Sequence, residues 1–252
     1  MTDDVTAENQ RAYRGLEQLA ALTEHVARHA PTDGDIRPYL VGWGLLAAMQ
    51  RQAHAVILLH RKGFDHEAAP NRRAMIEHLA QIRWLSEDGP AAVDSMNRAL
   101  QHSQQRLRDA ADAAGMKYDP TIADVVKATE IPAHPANQYN NLSPLLARLS
   151  PVLLAVWRGE TQLAHPTLTG AAFFYDDRAE GSTTLFYEPT RRDGVEEPSD
   201  RSPFIAFALL WSAMEGFNRL LKGEPWTQRL QRIAHDGGLD DQWTAHGGPA
   251  PS

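Results

Sequence analysis

The sequence predicts an all-α fold, a multi-helix bundle with a short β-hairpin inserted between the late helices. Three observations carry this. Apolar residues recur three or four apart through most of the chain, the period of one helix face. Pro follows Ser or Asp at Asp119-Pro120, Ser143-Pro144, Ser150-Pro151 and Ser202-Pro203, the pattern of an N-cap with proline in the first turn. Only one stretch, Phe173–Tyr187, is aromatic and β-branched without helical spacing.

The elements follow in order. Ala12, Leu16, Leu19, Leu22 and Val26 mark one stripe, predicting a helix over 6–30 that Pro31 and Gly34 break. A second helix is expected over 37–62, ending before Gly63. Gly42 and Gly44 lie inside it at a helix-propensity cost of about 1 kcal/mol each, which predicts a close helix contact there. A third is expected over 65–85 with Pro70 near its start, and a fourth over 91–114. Asp119-Pro120 predicts a fifth, to about Thr129, followed by a loop at Pro132 and Pro135. Further helices should start at Ser143, Ser150 and Ser202, the last reaching Lys222, with a short one from Pro225. Phe173-Phe174-Tyr175 and Thr183–Tyr187 predict the two strands of a hairpin or flap over about 171–188. The segment 1–236 is expected to form a single helical domain, and 237–252, rich in Gly, Pro and Asp, a mobile tail.

Composition removes several function classes. The chain of 252 residues has no cysteine, so disulfides, thiolate metal sites and cysteine nucleophiles are excluded. Its longest apolar runs, Tyr39–Met49 and Phe204–Met214, fall short of the roughly 18–20 residues that span a bilayer. With Asp3 and Asp4 at the start and no apolar leader, a cytoplasmic location away from membranes is expected. A formal net charge of −7 gives no bulk attraction to nucleic acid, so an RNA site would have to be local. Phosphate-binding glycine loops, nucleophile elbows and zinc-finger spacings are absent, which disfavours kinases, P-loop NTPases, dehydrogenases and α/β-hydrolases.

The candidate catalytic residues lie in Trp157–Thr167. Arg158 and His165 are seven apart, so at about 100° per residue their side chains point within roughly 20° of each other, with Thr161 between them on the same stripe. Pro166 disfavours helix at His165, placing an imidazole at a helix C-terminus where it can exchange protons near neutrality. An arginine fork beside it would hold phosphate oxygens. The pair would therefore suit metal-independent cleavage of an RNA phosphodiester, with no cofactor. The same residues would equally serve as an ion-paired arginine and a histidine capping backbone carbonyls. Similar spacings also occur at Arg61/His66, Arg72/His78, Arg73/His78 and Arg229/His235, against about three expected from random placement.

Arginine followed after four to six residues by histidine resembles the signature of the HEPN superfamily, all-helical proteins that include metal-independent ribonucleases and toxins. The resemblance implies Arg158 and His165 as the catalytic pair, RNA as partner and a homodimer with the pairs across its cleft. Gly159 departs from it, since active members usually carry a polar residue there. A second resemblance rests on Gly63-Phe64, Glu67-Ala68, Arg73-Ala-Met-Ile-Glu77, Trp84-Leu85 and His165-Pro166. These residues are similar to an uncharacterised bacterial helical family, known as a domain of unknown function. It implies a buried clamp of Arg73 and Glu77 linking helices, or a binding role for them, with Arg72 adding positive charge to the same face.

Other groups carry blander expectations. His25 and His29 have a spacing that can ligate zinc, but no further ligands are organised, so surface histidines and no metal are expected. His54 and His60, which flank Ile57-Leu58-Leu59, are expected to be interface or core-edge residues rather than ligands. Trp84, Trp157 and Trp211 are expected as core anchors. Asp176, Asp177 and Glu180 fit a solvated hairpin tip. The alternative to an RNA-handling enzyme is a non-catalytic helical module for a protein partner or small ligand, with a pocket lined by Trp43, Trp84 or Trp211.

Overall fold

The computed structural model describes residues 2–32, 34–116, 135–176, 183–190 and 198–239. The helix expected after Asp119-Pro120, the hairpin tip with Asp177 and Glu180, and residues 240–252 of the expected tail lie outside the described residues. Among those described, the helices are α1 (Thr2–Thr23), α2 (Arg37–Arg61), α3 (Ala69–Asp88), α4 (Pro90–Ala113), α5 (Leu142–Leu149), α6 (Pro151–Ala164), α7 (Leu168–Ala171), α8 (Ser202–Asn218) and α9 (Thr227–Gly237). Two short strands, β1 (Tyr175–Asp176) and β2 (Thr184–Leu185), pair antiparallel with Tyr175 opposite Leu185. The fold is all-α with a short hairpin between late helices. No described helix is long and apolar enough to cross a membrane.

Helix α8 is the axis of the bundle because its sequence allows nothing else. From Ser202 to Met214 it carries no charged side chain, and a helix apolar all round must be surrounded. It is packed by α1, α2, α3 and α9, and Ala206, Phe207, Leu210, Ala213, Met214 and Phe217 are buried. Helix α3 lies between α2, α6 and α8 and contributes Met75, Ile76, Leu79, Ile82 and Trp84 to the core. The connection between α1 and α2 is tied to the segment after α8 by two backbone hydrogen bonds, Thr32 N–H to Leu220 O and Lys222 N–H to Ala30 O.

Two glycines set how closely α1 and α9 approach α8. A Cβ at Gly15 would stand 2.3 Å from the Phe207 ring, and one at Gly237 2.2 Å from it, so the ring fills space that only glycine on both sides leaves open. Gly42 likewise faces Leu220 and Phe217, its Cβ position 2.8 Å from Leu220 Cδ1. Gly44 does not share that contact: nothing lies within 4 Å of its Cβ position.

Several local expectations are corrected. Helix α1 stops at Thr23, and the stripe continues to Val26 through a separate 3-10 turn, Val26–Arg28. His25 and His29 therefore do not share one helix face; His25 is exposed and His29 packs edge-on against the buried Trp226 at 5.9 Å. Helix α3 starts at Ala69 rather than at 65. Helix α5 is capped by Asn141, whose side chain accepts the Ser143 N–H, so Ser143 lies inside the helix. Ser202 is not a cap either; Arg201 precedes α8 and makes no side-chain cap bond. Phe173 and Phe174 sit in a 3-10 turn, and the strand begins only at Tyr175. Helix α8 ends at Asn218, four residues short of Lys222.

Candidate functional site

Helix α6 begins as the sequence predicts. Ser150 accepts the Leu153 N–H through its side chain, with Pro151 in the first turn. The helix ends at Ala164, and His165 adopts an extended backbone, φ −115° and ψ 158°, as the following proline demands. Thr167 then secures the reversal. Its hydroxyl donates to Gln162 O at 2.6 Å and accepts the Gly170 N–H at 3.0 Å, opening α7.

The inward face of α6 carries Leu153, Trp157 and Glu160. Glu160 is buried and receives two hydrogen bonds from Arg72, at 2.8 Å from Nε and 3.0 Å from Nη2. Arg72 also donates from Nη1 to Ser202 Oγ and to the Asp65 carbonyl, both at 2.8 Å. One fully buried guanidinium thus ties α3, α6, the start of α8 and the turn before α3. The expectation that Arg72 adds positive charge to an accessible face is overturned, since its charge is sealed in and balanced by Glu160.

Arg73 and Glu77 do pair, at 3.0 Å, but both remain about a third exposed. The buried clamp falls on Arg72 instead of Arg73. Glu77 also accepts the Trp157 indole N–H at 3.0 Å, and the Arg73 guanidinium lies 5.6 Å from the centre of the Trp157 ring, within cation–π reach. Because Arg72 meets Glu160 while Glu77 meets Trp157, α3 and α6 run antiparallel. Residues beyond Glu160 on α6 therefore lie toward the start of α3. Thr161 is half-buried and donates its hydroxyl back to Trp157 O at 2.7 Å.

The outward face of α6 carries Arg158, Gly159 and Gln162, all exposed, and His165 is exposed at its end. Among the described residues, the Arg158 and His165 side chains have no hydrogen-bond or ion-pair partner. Nothing lies within 4 Å of the Gly159 Cβ position, so the surface beside Arg158 is open. The structure joins Arg73 and Glu77 to Trp157 and leaves Arg158 and His165 accessible to solvent, with Thr161 turned back onto its own helix.

Sequence reasoning missed Glu160 and Ser202. A signal for Glu160 existed: it follows Leu153 and Trp157 at helical spacing on the apolar stripe, where a carboxylate needs a buried cation. Ser202 was masked by its resemblance to a cap. Of the tryptophans, Trp84 is buried with its N–H on Asp88 at 2.9 Å, while Trp157 and Trp211 are partly buried against the core. Trp226, 2% exposed, anchors it unpredicted. Among the described residues, no three His, Asp or Glu side chains gather as a metal site would need.

Residues 39–135 match the model of a family of unknown function (DUF5677). That span holds α3, α4 and all but the first two residues of α2, with Arg72, Arg73 and Glu77, and it fits the resemblance to an uncharacterised family; Arg158 and His165 lie beyond it. No curated protein and no solved structure matches the chain.

Proposed function

We propose that this chain is a HEPN-like helical protein that handles RNA, with Arg158 and His165 as the phosphate-contacting pair of a metal-independent endoribonuclease. One observation carries the reading. Both side chains are exposed and without a partner among the described residues, whereas Arg72, Arg73, Arg83 and Arg148 are each held by a carboxylate. The structural alternative required an ion-paired Arg158 and a His165 bonded to backbone carbonyls, and neither contact is present among the described residues.

In this reading the RNA 2′-hydroxyl attacks the adjacent phosphorus as the bond to the 5′-oxygen breaks, leaving a 2′,3′-cyclic phosphate and a 5′-hydroxyl. His165 takes the 2′-hydroxyl proton, and His165 of a second copy gives one to the leaving oxygen. Arg158 stabilises the charge that develops on the phosphoryl oxygens. A homodimer with the two pairs across a cleft follows from this division of roles.

The experiment is cleavage of mixed single-stranded RNA in EDTA by the native protein, His165→Ala and Arg158→Ala. Cleavage by the native protein alone supports the pair. An inactive native protein that is folded and dimeric shifts the reading to a non-catalytic helical module. That second reading has its own support in the apolar side chains exposed at the hairpin, Leu185 at 80% and Tyr187 at 98%, which a protein partner would cover.

A further inference from the structure

A second cluster of chemically able side chains sits where α2 ends, and it begins with a turn. Gly63 adopts φ +76°, a left-handed conformation that favours glycine. Its N–H bonds to His60 O, and the Phe64 N–H bonds to Leu59 O. The reversal brings Asp65 back over the last turn of α2, where its Oδ1 lies 2.6 Å from His60 Nδ1. An ionised carboxylate only accepts, so Nδ1 carries a proton toward Asp65 and Nε2 points away from it. The Asp65 backbone is itself fixed, since its carbonyl accepts from the buried Arg72. His60 and Asp65 are each 22% exposed, so both are partly shielded and still reach solvent.

Tyr13 of α1 and Arg61 of α2 complete the group. The Tyr13 ring centre is 6.2 Å from the His60 ring and 5.1 Å from the Arg61 guanidinium carbon. Burial pushes the Tyr13 phenol above its ordinary value, and the charge and hydrogen bond of Arg61 pull less strongly the other way; the hydroxyl therefore stays a donor at neutral pH. Asp65 faces His60 from the turn, Arg61 and Tyr13 face it from α2 and α1, and behind Asp65 the charges of Arg72 and Glu160 balance each other.

We propose that Tyr13, His60 and Arg61, backed by Asp65, bind the tetrahedral oxyanion of a phosphate ester, and that binding takes up a proton at His60 Nε2. Arg61 supplies a fixed cation and hydrogen-bond donors, Tyr13 a hydroxyl donor, and Asp65 holds the imidazole in orientation. The proton moves from solvent to Nε2, converting the lone pair that would repel the anion into a second cationic donor. The proposal does not depend on the role of Arg158 and His165.

The test is a titration of the whole protein with sulfate, followed at the side-chain nitrogens of its histidines by NMR. Sulfate keeps its charge between pH 6 and 8, so any pH dependence belongs to the protein. The expected result is a saturable shift at His60 that persists in Arg158→Ala, with tighter binding at pH 6 than at pH 8. Arg61→Ala, which removes an exposed side chain, should weaken binding about tenfold or more, and Tyr13→Phe should weaken it measurably with the fold intact. Absence of a saturable His60 shift overturns the proposal, as does equal affinity at the two pH values or in Arg61→Ala; the His60–Asp65 contact is then only a pin for the turn.

Discussion

Arg72 and Glu160, 88 residues apart in sequence, meet through two parallel hydrogen bonds with 0% and 1% of their side chains exposed. A buried pair of this kind is worth little against apolar residues of the same shape, yet breaking it from one side leaves an uncompensated charge in the core. Arg72→Ala or Glu160→Ala should therefore destabilise the fold by about 3–5 kcal/mol, measured by denaturant unfolding. The double substitution Arg72→Met with Glu160→Leu should recover most of that loss. Ser202→Ala, which removes one acceptor and leaves the pair, should fall nearer 1–3 kcal/mol. Equal losses for all three would mean that packing, and not charge, sets the energetics here.

The Phe207 ring makes a second prediction, because it is bounded by glycine on two helices. A methyl at Gly15 or Gly237 would overlap the ring, so Gly15→Ala and Gly237→Ala should each destabilise by about 1–3 kcal/mol through overpacking. Gly44→Ala is the control, since its Cβ position is open and helix propensity alone should stabilise by about 0.5–1 kcal/mol. Combining Gly15→Ala with Phe207→Leu should cost less than the sum of the two. Additive losses would show that the ring does not contact the new methyl.

These two contacts also mark where the sequence stops being legible. The helices α2, α4, α6 and α8 follow from spacing and punctuation, to within a few residues at their ends. The end of α1 does not, because Val26, four residues after Leu22 and buried like it, prolongs the stripe although it belongs to a separate 3-10 turn past the true helix end. The clamp belongs to Arg72 and not to its neighbour Arg73: adjacent arginines differ by about 100° around the helix, and only the packing of α3 against both α6 and α8 decides which one turns inward. Spacing puts Arg158 and His165 on a shared stripe, but whether that stripe faces solvent depends on Trp157 and Glu160 occupying the other side.

The Ser-Pro pairs yield a third prediction, because one sequence device has three structural outcomes. Ser150 is a true cap, so Ser150→Ala should cost about 1 kcal/mol. Ser143 makes no such cap, and its substitution by Ala should fall within about 0.5 kcal/mol; Asn141→Ala should instead carry the capping loss for α5. Equal effects at Ser143 and Asn141 would contradict the observed cap.

Tyr13 provides a prediction in alkaline solution. Its phenol is raised in the folded protein, with burial the leading cause. A raised group holds its proton more tightly when folded. Its favourable contribution is therefore complete below the unfolded value, 10.0, and is lost as pH rises through the folded one. The native protein should lose stability above pH 10 in part because the partly buried phenol must ionise. Tyr13→Phe keeps the ring and removes the ionisation. The stability difference between native protein and variant, followed by urea unfolding between pH 8 and 11, should be flat up to about pH 9.5 and then move in favour of the variant. A difference that stays constant over the whole range would mean that Tyr13 ionises as readily in the folded chain as in the unfolded one.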